Sequence, residues 1–372
     1  MSAPDAIVVG AGIVGAACAD ALAAAGMRVL VLESAIPGGG STAAGMGHLV
    51  VMDDSPAELE LTRSSLELWR AWSGELPADV EDDPCGTLWV AAGEEEMDLV
   101  RSKATLYREH GVAAEILDSG ALREAEPELR SGLAGALLVP GDRVLYPPNA
   151  ARFLLERAKR NGADLRVKAE VVRVAPGRVE GREGAVDAGI VVLATGVWAP
   201  RLLPGLPIEP RKGHLVITDR YPGFVRHQVV ELGYLKSAHG AARESVAFNV
   251  QPRPTGQVLI GSSRELVGFD ESLNVALRAR MLRRAFEYLP GLRRLQAIRT
   301  WTGFRPSTPD KLPLVGEWER GLYVAAGHEG LGITTAPATG RLIAELATGV
   351  ATSLDPRPFD PHRRPAEKPA DG

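Results

Sequence analysis

The chain has 372 residues, 45% of them hydrophobic, and a mean hydropathy of −0.02, which suits a globular protein with a sizeable core and two domains. A net charge of −5 and a pI near 5.9 argue against nucleic acid as the main partner. Cys18 and Cys85, the only two cysteines, match no metal or CxxC spacing, and we read a reducing, cytoplasmic setting.

In chain order, Ala6 to Val9 is a short apolar run that reads as a buried strand. Gly10, Gly12 and Gly15 follow in GxGxxG spacing, then a small-residue helix to about Ala25, a Gly26 stop, and a strand from Arg28 to Leu32. Glu33 closes the unit, 18 residues after Gly15. Strand, glycines, helix, strand and acid in that order spell a dinucleotide-binding βαβ unit. Gly10 permits the turn, Gly12 lets a pyrophosphate approach the backbone, and Gly15 lets helix and strand pack closely. Free N–H groups at the helix start face the phosphates, while Glu33 accepts from ribose hydroxyls and repels a 2′-phosphate. The rival is a membrane segment, since Ala6 to Gly26 is 21 residues long and a span needs about 20. Its Ala/Gly content and Asp20 near mid-helix argue against that, and no basic run precedes it as in a signal peptide.

Beyond Glu33, Gly38 to His48 is rich in small residues and hydroxyls, which suits a loop lying on a cofactor rather than a flexible linker. Ser55, Pro56 and Glu58 form a capping-box start for a helix with Leu59, Leu66, Trp69 and Trp72 as its buried stripe. Gly86 to Ala92 reads as a strand, and Glu94 to His110 as an amphipathic helix. Pro147 opens another helix that ends at Gly162. Strands are expected at Leu165 to Val167, Ala169 to Val174, Ile190 to Leu193, Val229 to Leu235, Val246 to Val250 and Val258 to Gly261. Leu273 to Leu289 is a helix with Leu277, Met281, Leu282 and Phe286 inward and a solvated face of Arg278, Arg280, Arg283 and Arg284. The strand Gly321 to Ala326, a glycine-rich turn and a helix from Thr335 to Ala347 repeat the opening logic. From Asp355 on the chain is Pro-rich and charged, and its last eight or so residues read as disordered.

Together GAGIVG with Glu33, STAAGMG at 41–47, ATGVW at 194–198, TGFRPSTPD around Arg305 and GHEGLGITTAPATG at 327–340 resemble the FAD-dependent D-amino-acid oxidase and glycine oxidase family. The resemblance runs over the whole chain and is strongest toward bacterial glycine oxidases and D-hydroxyproline dehydrogenases. It implies an α/β FAD-binding domain of the glutathione-reductase type (1–85, 143–206 and 300–360), an inserted, mostly antiparallel β substrate domain (86–142 and 207–299) and a tail (361–372).

It also implies site residues. Gly10, Gly12 and Gly15 shape the cofactor turn with Ile13 and Val14 over the pyrophosphate, Glu33 and Ser34 lie at the adenosine ribose, and Val172 at the adenine. Gly40, Ser41, Ala44, Gly45, Met46, Thr195 and Gly196 line the cofactor, and His328, Glu329, Gly330, Leu331, Gly332, Ile333 and Thr334 wrap the isoalloxazine. Arg305 matches the arginine that binds the substrate carboxylate, with Asp310 as a rival, purely structural partner; His48, Asn249 and Tyr234 complete the substrate site.

Departures from glycine oxidase are a missing second arginine, aligned at Gly330, and a missing tyrosine, aligned at Asn249, which point to a cyclic or bulkier substrate. No cysteine lies near Gly303, so the resemblance implies non-covalent FAD. Leu259 stands where sarcosine oxidases carry an oxygen-activating lysine, which favours an acceptor other than O2. The expected activity is oxidation of a small D-, achiral or cyclic amino acid to its imine by hydride transfer to flavin N5, with the amine already neutral and no base required. The acceptor is O2, a quinone or a partner subunit, and the protein is a homo- or hetero-oligomer without a transmembrane segment. Three rivals stand beside this: an NAD-dependent dehydrogenase, the FAD subunit of a multi-subunit dehydrogenase, and a non-catalytic flavoprotein scaffold.

Overall fold

The computed structural model describes residues 3–233 and 244–363. Its first sheet has six strands in the order Leu314–Glu319, Leu322–Ala326, Ile190–Leu193, Ala6–Val9, Val29–Glu33 and Asp164–Val167. All neighbours are parallel except the first pair. Central parallel strands are covered on both faces, which is why Ala6–Val9 and Ile190–Leu193 read as unbroken apolar runs.

The helix Ile13–Ala24 crosses from the first strand to the second, packed between the helices Pro147–Arg160 and Gly332–Thr348. Its small residues are a packing requirement. A β-carbon on Gly15 would lie 2.0 Å from the Gly10 carbonyl oxygen, and one on Gly340 would lie 2.4 Å from the Ala17 carbonyl oxygen. Asp20 is buried against this bundle and accepts from Arg157 Nε at 3.2 Å. Among the described residues, no helix is long and apolar enough to cross a membrane.

The second sheet has eight strands in the order Ala297–Ser307, Glu209–Thr218, Val258–Glu265, Glu244–Pro252, Gln228–Glu231, Thr87–Ala91, Gly135–Val139 and Glu115–Asp118. Its pairings are antiparallel except at Gln228–Glu231 and Thr87–Ala91, where two distant parts of the chain join in parallel. The mixed α/β fold with a mostly antiparallel second sheet is the one expected. A three-stranded sheet (Val171–Ala175, Arg178–Gly181, Gly184–Asp187) and the short pair His48–Leu49 with Arg143–Val144 complete the strands.

Several expectations need correction. The strands Glu209–Thr218 and Ala297–Ser307, the longest pair in the fold, escaped the sequence reading, because the first confines its apolar run to Leu215, Val216 and Ile217 behind charged residues and the second is broken up by Arg299, Gly303 and Arg305. Lys212 and His214 are buried in the first of them, where Lys212 Nζ lies 3.0 Å from both Asp270 Oδ2 and the Ser272 carbonyl. The strands Glu115–Asp118 and Gly135–Val139 and the helix Ser119–Ala125 were missed as well. The closing helix starts at Gly332, three residues before Thr335. Of the Pro-rich stretch from Asp355, the part as far as Arg363 packs on the fold, with Phe359 buried and Arg363 Nε 2.7 Å from Asp310 Oδ2, while the last eight residues read as disordered lie outside the described residues.

Arg284 is not part of a plain solvated face. It forks onto the buried Glu231 carboxylate, with Nε 3.0 Å from Oε2, and Tyr288 Oη donates to the same oxygen at 3.2 Å. Replacing Arg284 by Met leaves that carboxylate buried without its counter-charge. We expect a stability loss of roughly 2–4 kcal/mol, the lower part of the usual range because the arginine is partly solvated. Denaturant unfolding measures it, and a loss below about 0.5 kcal/mol would class the pair with ordinary surface bridges.

Candidate active site

One cavity of about 840 Å³ runs between the two sheets, toward the upper end of small-molecule sites. Of the sequence-derived site residues in the described chain, all line it except Gly15 and Thr334. Gly15 acts through close packing against Gly10, as its spacing implied. Thr334 Oγ1 donates to the His48 carbonyl at 3.0 Å and accepts from Val50 N at 3.3 Å, which fixes one wall to the closing helix. Tyr234 lies outside the described residues.

At one end Gly10 has φ +101°, and a β-carbon there would sit 2.7 Å from the Ala194 carbonyl oxygen. Glu33 accepts from Ala11 N and Ala35 N, both at 2.8 Å, so its carboxylate is fixed beside the turn. Thr42, which the sequence reading passed over, accepts from Ile13 N at 3.0 Å and takes up one donor of the helix start. Val172 reaches the cavity from an exposed strand. The hydroxyl of Thr195 is buried beside Gly196 with no hydrogen-bond partner.

In the middle, the turn Gly40–Ala44 is clamped to the edge strand of the second sheet. Ser41 Oγ donates to the Phe304 carbonyl at 2.6 Å, and Trp301 Nε1 donates to the Ala44 carbonyl at 3.3 Å. Met46 packs with Leu215, Ile217 and Leu259. Leu259 is therefore part of an apolar cluster and does not line the cavity; from that strand Arg264 does. Across the cavity, Glu329 adopts φ +48°, its N–H donates to the Pro306 carbonyl at 2.9 Å, and Oε1 lies 3.5 Å from Arg211 Nη1. His328 is buried, with Nε2 3.0 Å from Thr339 Oγ1.

The far end is polar. Arg305 lies across Gly213, where a β-carbon would come within 2.4 Å of Nη1, and Nη1 donates to the Ser263 carbonyl at 3.1 Å. Asn249 Oδ1, Gln228 Oε1, Ser262 Oγ, His48 Nδ1 and Trp89 Nε1 are buried on this wall without hydrogen-bond partners. Asp54, Glu58, Arg264 and Lys311 complete it, with Lys311 Nζ 3.5 Å from Asp54 Oδ2. Sequence had offered Glu58 only as a helix cap and Trp89 only as a strand residue, and Arg264 lies beyond the Val258 to Gly261 strand it had read, which in fact runs to Glu265. Lys311 lay within reach, six residues beyond Arg305 and directly after the TGFRPSTPD segment.

Burial pushes the His328 imidazole down to about 3, and burial together with the Arg305 charge pushes His48 down to about 4. Both rings are neutral at physiological pH. Their folded values lie below the unfolded one, so the stability they contribute is present above pH 6.5 and is lost as pH falls toward 4 and 3.

A glycine turn free of β-carbons, a fixed carboxylate at its mouth, two helix starts and an apolar middle fit a flavin dinucleotide laid along the cavity. The chain belongs to the FAD-dependent oxidoreductase family, whose model matches residues 5–346. It is an FAD-dependent amino-acid oxidoreductase, which sets aside both the NAD enzyme and the non-catalytic scaffold. Glycine oxidase of Geobacillus kaustophilus is 32% identical over 95% of this chain and 96% of its own. The crystal structure of glycine oxidase from that species superposes with a TM-score of 0.87 at 30% identity, over 98% of this chain and 100% of the other. L-Proline dehydrogenase from P. horikoshii gives 0.88 at 27% identity, over 97% and 98%. Hydrogen cyanide synthase subunit HcnC of Pseudomonas aeruginosa is 28% identical over 95% of each chain.

Gly303 is where the Gly40–Ala44 turn meets the edge strand: a β-carbon there would lie 2.3 Å from that of Ala44. Gly303→Ala therefore pushes the turn off its seat. Overpacking of about 1–3 kcal/mol predicts FAD binding weakened by roughly tenfold or more. Fluorescence titration of apoprotein with FAD tests this, and unchanged affinity would mean the turn does not support the cofactor.

Proposed function

We propose that the chain oxidises a small amino or imino acid, of the glycine, sarcosine, D-proline or D-hydroxyproline kind, to its imine, with Arg305 holding the carboxylate. The observation that carries this is the setting of Arg305. Its rival partner, Asp310, is taken by Arg363, with Nε and Nη2 at 2.7 and 2.8 Å from the two carboxylate oxygens. Arg305 instead lines the cavity over a glycine, beside unpartnered Asn249 and Ser262 groups. A guanidinium there binds a carboxylate by a two-pronged hydrogen bond that a lysine cannot match.

FAD, when bound, supplies the hydride-accepting chemistry. In the proposed division of labour, the six-stranded sheet and its helices (1–85, 143–206 and 300–360) hold the flavin, and the eight-stranded sheet (86–142 and 207–299) presents the substrate, with the strand Ala297–Ser307 crossing from one to the other. His48 and His328 act as neutral walls. Neither Cys18 nor Cys85 lines the cavity, which supports non-covalent FAD.

Arg305→Leu is expected to lower kcat/KM for amino acids by a hundred- to several-thousand-fold, from the roughly 3–5 kcal/mol of a broken pair in a closed pocket. FAD content and melting temperature should stay near wild type, with all flavin released on acid precipitation. Wild-type kcat/KM in the variant would overturn the assignment, and flavin retained in the pellet would overturn non-covalent attachment.

A second reading makes the chain the flavin subunit of a larger dehydrogenase. Trp198, on the cavity wall, is stacked on Phe269 at 4.2 Å and 9°, and both rings are over a third exposed. Such a solvent-facing aromatic pair suits a partner that takes electrons. Photoreduced protein should then reoxidise faster with a quinone or dye than in aerated buffer; reoxidation by O2 at the turnover rate makes it an oxidase.

A further inference from the structure

An amino acid reaches the protein as an ammonium ion, and its C–N bond cannot be oxidised until the nitrogen has a lone pair. The two histidines on the cavity wall are held neutral with values far below 7 and are poor proton acceptors. One other group on the wall is built differently. Glu58, at the third position of the helix Pro56–Trp72, is 6% exposed and lines the same cavity as Arg305 and Asn249. Its Oε2 accepts from Asp54 N at 3.0 Å, which holds the carboxylate, and Ser55 Oγ caps its backbone N–H at 3.2 Å, which holds the helix start it stands on.

We infer that Glu58 takes the proton from the substrate's ammonium group, in a site where Arg305 holds the carboxylate. The N–H bond breaks toward nitrogen, which keeps the electron pair; the carboxylate becomes a carboxylic acid, and no oxidant enters the step. The proton then leaves past Asp54 and Lys311, whose side chains are 18% and 23% exposed. The charged surroundings are consistent with this. Asp54, Asp53 and Lys311 face Glu58, and behind them Lys103 pairs with Asp53 against Tyr107 on the helix Glu94–Glu109. Burial first, and the Asp54 charge second, raise the Glu58 carboxyl to about 7, matched to accepting a proton near neutral pH. The unpartnered oxygens of Asn249 and Gln228 on the same wall are suited to accepting from the amine itself.

This rests on the amino-acid reading above, and the test separates the two. Flavin reduction by amino acids is followed by stopped flow from about pH 6 to 9 in wild-type holoenzyme, Glu58→Gln and Glu58→Asp. Gln keeps the Ser55 cap and can accept from Asp54 N. In wild type, kcat/KM should rise with pH through an apparent value near 7. In Glu58→Gln it should fall by on the order of a hundredfold at pH 8, with the rising limb displaced to the substrate ammonium's own pKa. Glu58→Asp should recover part of the rate and a limb near neutrality, and FAD content and melting temperature should hold in all three. A Glu58→Gln enzyme with the wild-type rate and limb overturns the proton role alone. Wild-type flavin that no amino acid reduces overturns the functional reading, and this inference with it.

Discussion

Everything in the molecule depends on a few places where backbone meets backbone with no side chain between. Gly15 against Gly10, Gly10 against Ala194 and Gly340 against Ala17 leave less room than a single methyl group needs. These contacts seat the opening and closing helices against each other and against the first sheet, so that two helix starts border one cavity. Without them the cavity has no floor, and the polar groups at its far end have nothing to converge on. The composition that superficially resembled a membrane segment is the signature of this packing.

The far wall follows from the second sheet. Arg305, Gly213 and Ser263 sit on three neighbouring strands, and the guanidinium crosses the middle one because that strand offers glycine. Around it the protein keeps charge in check by different means. Histidines stay neutral, Glu329 is placed near Arg211, Lys311 near Asp54, and Glu58 is held where its charge is costly. The wall is thus sensitive to pH close to neutrality while its remaining charges are balanced nearby.

Much of this was legible from residues alone where local chemistry is self-contained. The glycine turn, Glu33, the Ser55 cap and the strand–turn–helix at the chain's end announce themselves by spacing, and each is present within a few residues of where it was read. What escaped depends on partners far away in sequence. The strand Glu209–Thr218 carries charges on both faces and Ala297–Ser307 carries Arg299 and Arg305, and the buried ones among them are met only by distant partners, Asp270 and Glu265 for Lys212 and the cavity for Arg305. Glu58 satisfied a helix-cap pattern so well that its second environment, the cavity, left no trace in the sequence. The Asp310–Arg363 pair likewise could not be foreseen, since it spans from the Arg305 segment to the chain's end.

The parallel seam between Thr87–Ala91 and Gln228–Glu231 has a consequence for how the protein is made. A ribosome adding about 5–20 residues per second takes roughly seven to twenty-seven seconds to travel between those strands. Throughout that interval Thr87–Ala91 is an open edge whose partner does not yet exist, and the edge strand with Arg305 emerges later still. The cofactor therefore has no complete seat until the helix Gly332–Thr348 has emerged. Until then the newborn chain carries a half-built sheet with an unpaired strand edge, the kind of surface that invites wrong pairing.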